Sequence, residues 1–104
     1  MVNHDGIIEL DSDRAKELGF TSDRFGVGSY LWKRGDTIIV SFIESLARGN
    51  FRELVSAIRH LGLAVEIPTP IGRMQDIVRA NGYVLSFPFV EDFGEGVEVW
   101  RLEA

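Results

Sequence analysis

The sequence predicts a single α+β domain with a mixed sheet, a central pair of parallel strands and helices on both faces. Three observations carry that reading. Short β-branched runs alternate with two segments of helical periodicity, and 104 residues are enough for one domain with its own core. One helical segment lies between two strands, the order of a right-handed crossover joining parallel neighbours. The strand entering that crossover, residues 37–43, has Ile38, Val40 and Phe42 on one side and Ile39 and Ile43 on the other, the pattern of a strand covered on both faces.

Residues 6–10 are short and β-branched and read as a first strand. Asp11 or Ser12 then caps a short helix over residues 13–18, which stops at Gly19. Residues 20–28 show no period; Thr21, Ser22, Gly26 and Gly28 make them an irregular connection, pinned to the core by Phe20 and Phe25. Residues 29–32 form a strand that a turn over residues 33–36, with Gly35 supplying a positive φ, folds back on the strand at 37–43 as an antiparallel hairpin. The next helix is the best specified, with Phe51, Leu54, Val55, Ile58 and Leu61 on one stripe. Asn50 and Glu53 fit its capping pattern and Gly62 its end. After a strand over residues 63–67, Thr69 and Pro70 read as the N-cap and first position of the last helix, whose buried stripe is Ile71, Met74, Ile77 and Val78. Residues 83–90 form a strand that Pro88 forces to an edge, a bulge or an interruption. An acidic hairpin loop over 91–96 leads to a terminal strand over 97–102.

Composition narrows the function. With 45% apolar and 26% charged residues the chain is an ordinary globular one, and no apolar run reaches the roughly 20 residues needed to span a bilayer. Cysteine is absent, which excludes a disulfide framework and a thiolate nucleophile or metal site, and the first residues lack a secretory pattern; both point to a cytoplasmic protein. A net charge of −5 argues against nucleic acid as a partner. Charge is unevenly spread: residues 48–79 carry five arginines against three acids, +2 locally, which leaves −7 for the remainder. A basic segment in an acidic chain suggests a small anionic ligand near the two helix starts, unless these arginines are only solvated helix faces.

The candidate site arises at the strand-to-helix corner. There Gly49 lets a ligand approach the backbone, the N–H groups after it can donate to phosphate oxygens, and Arg48 and Arg52 add charge. Ile43, Ser45, Arg48, Gly49, Asn50, Phe51 and Arg52 are the candidate ligand-binding residues; in the plainer alternative Gly49 only makes the turn. Glu44, at the end of an apolar strand, is the candidate general base, with an exposed strand end as its alternative. Tyr30 and Tyr83 are possible proton donors whose strand positions also suit core packing. His4 and His60 stand outside metal-ligand spacing, so no metal site is expected. No nucleophile elbow and no Walker-type phosphate loop is present.

The order of elements over residues 29–102 resembles the GNAT superfamily of acyl-CoA-dependent N-acyltransferases, shortened by about one helix and one strand. That resemblance implies a reduced GNAT-like mixed sheet in which the central parallel pair splays, with the pyrophosphate of acetyl-CoA or another acyl-CoA on the N-terminus of the helix after it. The family signature there is Gln or Arg, two residues, Gly, one residue, Gly or Ala, then Leu three residues on. With Leu54 on the leucine, Gly49 takes the first glycine, while Phe51 stands at the second small position and Leu46 at the Gln/Arg position. The segment from Ile71 to Tyr83 looks like the family's fourth helix and its closing Gly-aromatic pair. The tyrosine that often protonates the departing thiolate would fall at Val78, and Glu44 lies about where many members carry a carboxylate base. The partner implied is a small-molecule or protein amine. Reduced proteins of this kind are similar to ones encoded by tailed phages, some virion-associated, which implies a second role: a non-catalytic structural or interaction module, with a homodimer among its forms and with Trp32 and Trp100 on an aromatic partner surface.

Overall fold

The computed structural model describes residues 5–90 and 94–104, and its chain runs β1 (Gly6–Glu9), α1 (Asp13–Leu18), β2 (Tyr30–Arg34), β3 (Thr37–Phe42), α2 (Asn50–His60), β4 (Ala64–Pro68), α3 (Arg73–Ala80), β5 (Val84–Ser86), β6 (Phe89–Val90), β7 (Glu95–Gly96) and β8 (Val99–Leu102). Six strands form one mixed sheet in the order β1-β2-β3-β4-β8-β5, and β6 and β7 pair separately. Only β3 and β4 lie side by side in parallel; every other neighbouring pair in the sheet is antiparallel. The terminal strand is thus slotted between β4 and β5, an insertion that residue patterning does not dictate.

Local chemistry explains most boundaries. Ser12 Oγ accepts the Ala15 N–H at 3.2 Å to start α1, and Gly19 in the left-handed conformation stops it. Gly35, at φ 60°, turns the β2–β3 hairpin. Phe87 and Pro88 break the strand expected over 83–90 into β5 and β6. Phe20 and Phe25 are fully buried with ring centroids 5.3 Å apart, so they do anchor the irregular segment. Of the expected acidic loop, residues 91–93 lie outside the described residues, as does His4.

Three expectations need correction. The helices do not cover both faces. Ala15 and Leu18 of α1, Leu54 and Ile58 of α2 and Val78 of α3 join one core cluster with the same sheet side, Ile8, Leu31, Ile38, Val40, Val65 and Ile67. The other face is open, with Ile7 47%, Tyr30 37% and Trp32 38% exposed. The two-sided apolar pattern of residues 37–43 misled because the strand ends at Phe42: Ile43 has left the sheet, Phe42 is exposed, and Ile39 is only half-buried. Second, α2 begins at Asn50 and its N-cap is Gly49, at φ 92° and with no side-chain cap. Asn50 Nδ2 instead donates to the Arg24 carbonyl at 2.9 Å, and Glu53 pairs with Arg24, so both presumed capping groups are spent on the 20–28 connection. Third, α3 is capped by Gly72, not Thr69. Thr69 sits at φ 42° and donates its N–H to the Glu98 carbonyl at 2.8 Å, which extends the contact between β4 and the last part of the chain.

The parallel pair itself is short. Register holds from Thr37 opposite Ala64 to Ile39 opposite Glu66, after which β3 runs on without β4. The segment leaving β3 is taken up on the other side: Gly26 N–H donates to the Glu44 carbonyl and Leu46 N–H to the Arg24 carbonyl, both at 2.8 Å, with a bridge between Phe25 and Ser45. The 20–28 connection, anchored by the buried Phe20 and Phe25, therefore holds the corner on the side away from β4. No helix among the described residues is long and apolar enough to cross a membrane.

Candidate functional site

On the helix-covered side of the sheet, α2 and α3 flank a half-open groove of about 1410 Å³. Phe51, Arg52, Val55, Ser56, Arg59 and His60 come from α2 and Arg73, Met74 and Ile77 from α3. The corner before α2 supplies Ile43, Ser45, Leu46, Ala47, Arg48 and Gly49, and Tyr83 and Leu102 line it from the sheet side. The helix spacing explains this division. Leu54 and Ile58 face the core and are buried, while Arg52, Val55, Ser56 and Arg59 fall on the adjoining stripe.

The groove's side-chain charge is one-sided, with Ala104 and its terminal carboxylate also in the lining. Four arginines and His60 line it, and no Asp or Glu side chain does, in a chain whose net charge is −5. Glu53, the one acid in the first turn of α2, is held by Arg24 outside the groove. Arg48, Arg52 and Arg73 are exposed and form no ion pair among the described residues. Such a concentration of unneutralised guanidinium groups focuses a positive potential on a concave surface and favours an anion there. Gly49 leaves the start of α2 open as well: the position where a side chain would project has nothing within 4 Å.

Of the residues picked from sequence, Ile43, Ser45, Arg48, Gly49, Phe51 and Arg52 come together in the groove, whereas Glu44 and Asn50 do not line it. Phe51 is half-buried against the core and forms part of the groove wall. Glu44 is exposed and its side chain lies against Gly26, tied by main-chain bonds to the 24–29 segment, including its N–H to Ser29 Oγ at 3.0 Å. Val78 is fully buried.

Two groove features were not assigned to the site by sequence reasoning. Arg73 and Arg59 belonged to the basic segment as a count, but only the fold shows that they converge with Arg48 and Arg52 while Arg79 does not. Tyr83, from sequence a possible proton donor whose strand position also suits core packing, was not grouped with the corner; the fold places it in the groove at 7% exposure. Burial pushes its phenol up to about 12, against the opposing pull of the Arg59 charge. Among the described residues no three His, Asp or Glu side chains are grouped to hold a metal ion.

No protein-family model, curated protein or solved structure matches this chain.

Proposed function

We propose that the groove binds a phosphate-bearing acyl carrier of the acyl-CoA class and that the protein transfers the acyl group to an amine. One observation carries the reading: four arginines and His60 line the concavity without an acidic side chain, although the chain is acidic as a whole. The GNAT resemblance is supported by the parallel pair that pairs over three positions and then parts, and by the helix after it, whose uncapped start opens on the groove. The chain's residues fit such a ligand. Arg48, Arg52 and Arg73 are free to take phosphate oxygens, Gly49 leaves the backbone accessible, and Val55, Met74 and Ile77 offer an apolar wall to the rest of the molecule.

In the transfer, the amine nitrogen attacks the thioester carbonyl, the C–S bond breaks and the thiol leaves, while the amine gives up a proton. Glu44 lies between the groove-lining Ile43 and Ser45 but is not itself in the lining, so in this reading it receives that proton through water. Calorimetry with acetyl-CoA is the direct test. Binding that weakens in the Arg48→Gln/Arg52→Gln variant supports the proposal, and no heat at millimolar ligand overturns it.

A second reading, a non-catalytic module on the same fold, is favoured by Glu44 standing outside the groove and by the buried Val78 at the position of the family's tyrosine. It predicts acetyl-CoA binding, or none, with no release of free thiol in the presence of any amine tried. Steady thiol release would remove it.

A further inference from the structure

The groove has a second end. Seven residues along α2 from Arg52, about 10 Å at the helical rise, stands Arg59. Its Nε donates to the Glu103 carbonyl at 2.8 Å. Glu103 is itself held, its Oε1 accepting from Arg101 Nε at 2.6 Å. The Arg59 guanidinium is therefore tethered by one nitrogen, with Nη1 and Nη2 remaining as a two-pronged edge.

Beside it is Tyr83, whose ring is almost wholly buried and whose hydroxyl is hydrogen-bonded by no described group. No described side-chain polar atom is both sealed from solvent and without a partner. The unbonded Oη is consequently open to solvent, and Tyr83 lines the groove. With its phenol pushed up to about 12, it stays a neutral O–H donor throughout the physiological range. That solvent-accessible donor stands where the Arg59 charge acts on it, in a groove that no acidic side chain lines.

We propose that Arg59 and Tyr83 form a carboxylate site at this end of the groove, and that the amine acceptor carries that carboxylate. The second clause rests on the acyl-transfer reading; the first does not. A carboxylate suits the donors better than a phosphate does. It brings one negative charge to one tethered arginine, and its two coplanar oxygens match a guanidinium edge, with the phenol O–H as a third donor. At the other end Arg48, Arg52 and Arg73 supply the greater charge that a phosphate-bearing group requires. The acceptor class is then an amino acid or another amine with an acidic group, bound opposite the acyl carrier's phosphates.

The test uses protein labelled with 13C at tyrosine Cζ. There are two tyrosines, so Tyr30, on the opposite face of the sheet, serves as the internal control. Sodium butyrate is expected to shift the Tyr83 signal saturably, and butyramide at equal ionic strength is not. Arg59→Gln should weaken the butyrate response by about tenfold, and Arg59→Lys should restore part of it. Tyr83→Phe assigns the signal, and the Arg59 variants stand without it should that protein fail to fold. The carboxylate site is overturned by no response to butyrate, by an equal response to inorganic phosphate, or by an undiminished response in Arg59→Gln. The acceptor clause is read separately as thiol release from acetyl-CoA with glycine and with glycinamide. Arg59→Gln should raise KM for glycine by a clearly larger factor than that for glycinamide; equal effects on both overturn the clause. No release with either acceptor, alongside a butyrate response, overturns acyl transfer and the acceptor clause and leaves the carboxylate site standing.

Discussion

The two faces of the sheet treat arginine in opposite ways. On the open face Arg101 is saturated: Nη1 donates to Glu66 Oε2 at 2.7 Å and Thr37 Oγ1 at 2.8 Å, Nε donates to Glu103 Oε1, and Asp36 lies 3.8 Å from Nη2. It ties β8 to β3 and β4 at the level where the parallel pair still holds. On the helix side, Arg48, Arg52 and Arg73 line one concavity with no acidic side chain in the lining and no ion pair among the described residues. The difference separates two uses of one residue type. A paired arginine holds strands together, and a set left unpaired within one hollow repels itself and gains by binding an anion.

The largest expected effect is on binding. Replacing Arg48 and Arg52 together by glutamine should lower acetyl-CoA affinity by roughly 100-fold, since each charged hydrogen bond lost is worth about 1.5–3 kcal/mol. Titration calorimetry at fixed ionic strength checks this, and an unchanged affinity would show that the groove arginines are only a solvated face. The next effect sits at high pH. Tyr83 has its pKa raised from 10 in the unfolded chain to about 12 in the fold. Its contribution is fully present below pH 10 and is lost as pH rises towards 12, on the order of 2–3 kcal/mol in total. Urea midpoints across that window should fall more steeply for the wild type than for Tyr83→Phe.

Removing Arg101 should act on stability instead of binding. Arg101→Ala leaves Glu66, only 27% exposed, without its charged partner and should cost about 1–3 kcal/mol in chemical denaturation. A stability equal to wild type would mean that the network is no better than a surface ion pair. Gly49→Ala should cost about 1 kcal/mol, because a residue with a Cβ is strained at φ 92° even though the space around it is free. The smallest effect sharpens the contrast most. The Arg48→Gln/Arg52→Gln protein, weak in binding, should match or slightly exceed wild-type stability, within about 0.5 kcal/mol, while Arg101→Ala does the reverse.

Much of this was legible in the chain. Helix α1, with its serine cap and closing glycine, is set by residues adjacent in sequence, as are the Gly35 hairpin and the break at Pro88. The crossover from β3 through α2 to β4 is set by periodicity. The candidate corner was legible too, because the turn glycine and its arginines are neighbours in sequence; six of the eight residues picked there line the groove. Failures came where a distant segment outbid a local rule. Asn50 and Glu53 have the spacing of a cap, yet Arg24 engages both. Thr69 and Pro70 have the chemistry of a helix start, yet the Thr69 N–H is drawn to Glu98 and the helix waits until Gly72. Glu44 belongs to the corner by position, but the Gly26 and Ser29 contacts carry it out of the groove.

By itself the sequence determined the α+β class, the positions of most elements and the presence of a basic segment within an acidic chain. These depend on side-chain period, capping chemistry and charge count, all of which act over a few residues. Only the tertiary structure decided that the helices share one face, that β8 enters between β4 and β5, and that Arg59, Arg73 and Tyr83 meet Arg48 and Arg52 across one groove. Those outcomes are set by which distant surfaces bury each other and which distant donors find acceptors, and pairings of that kind leave no period in the chain.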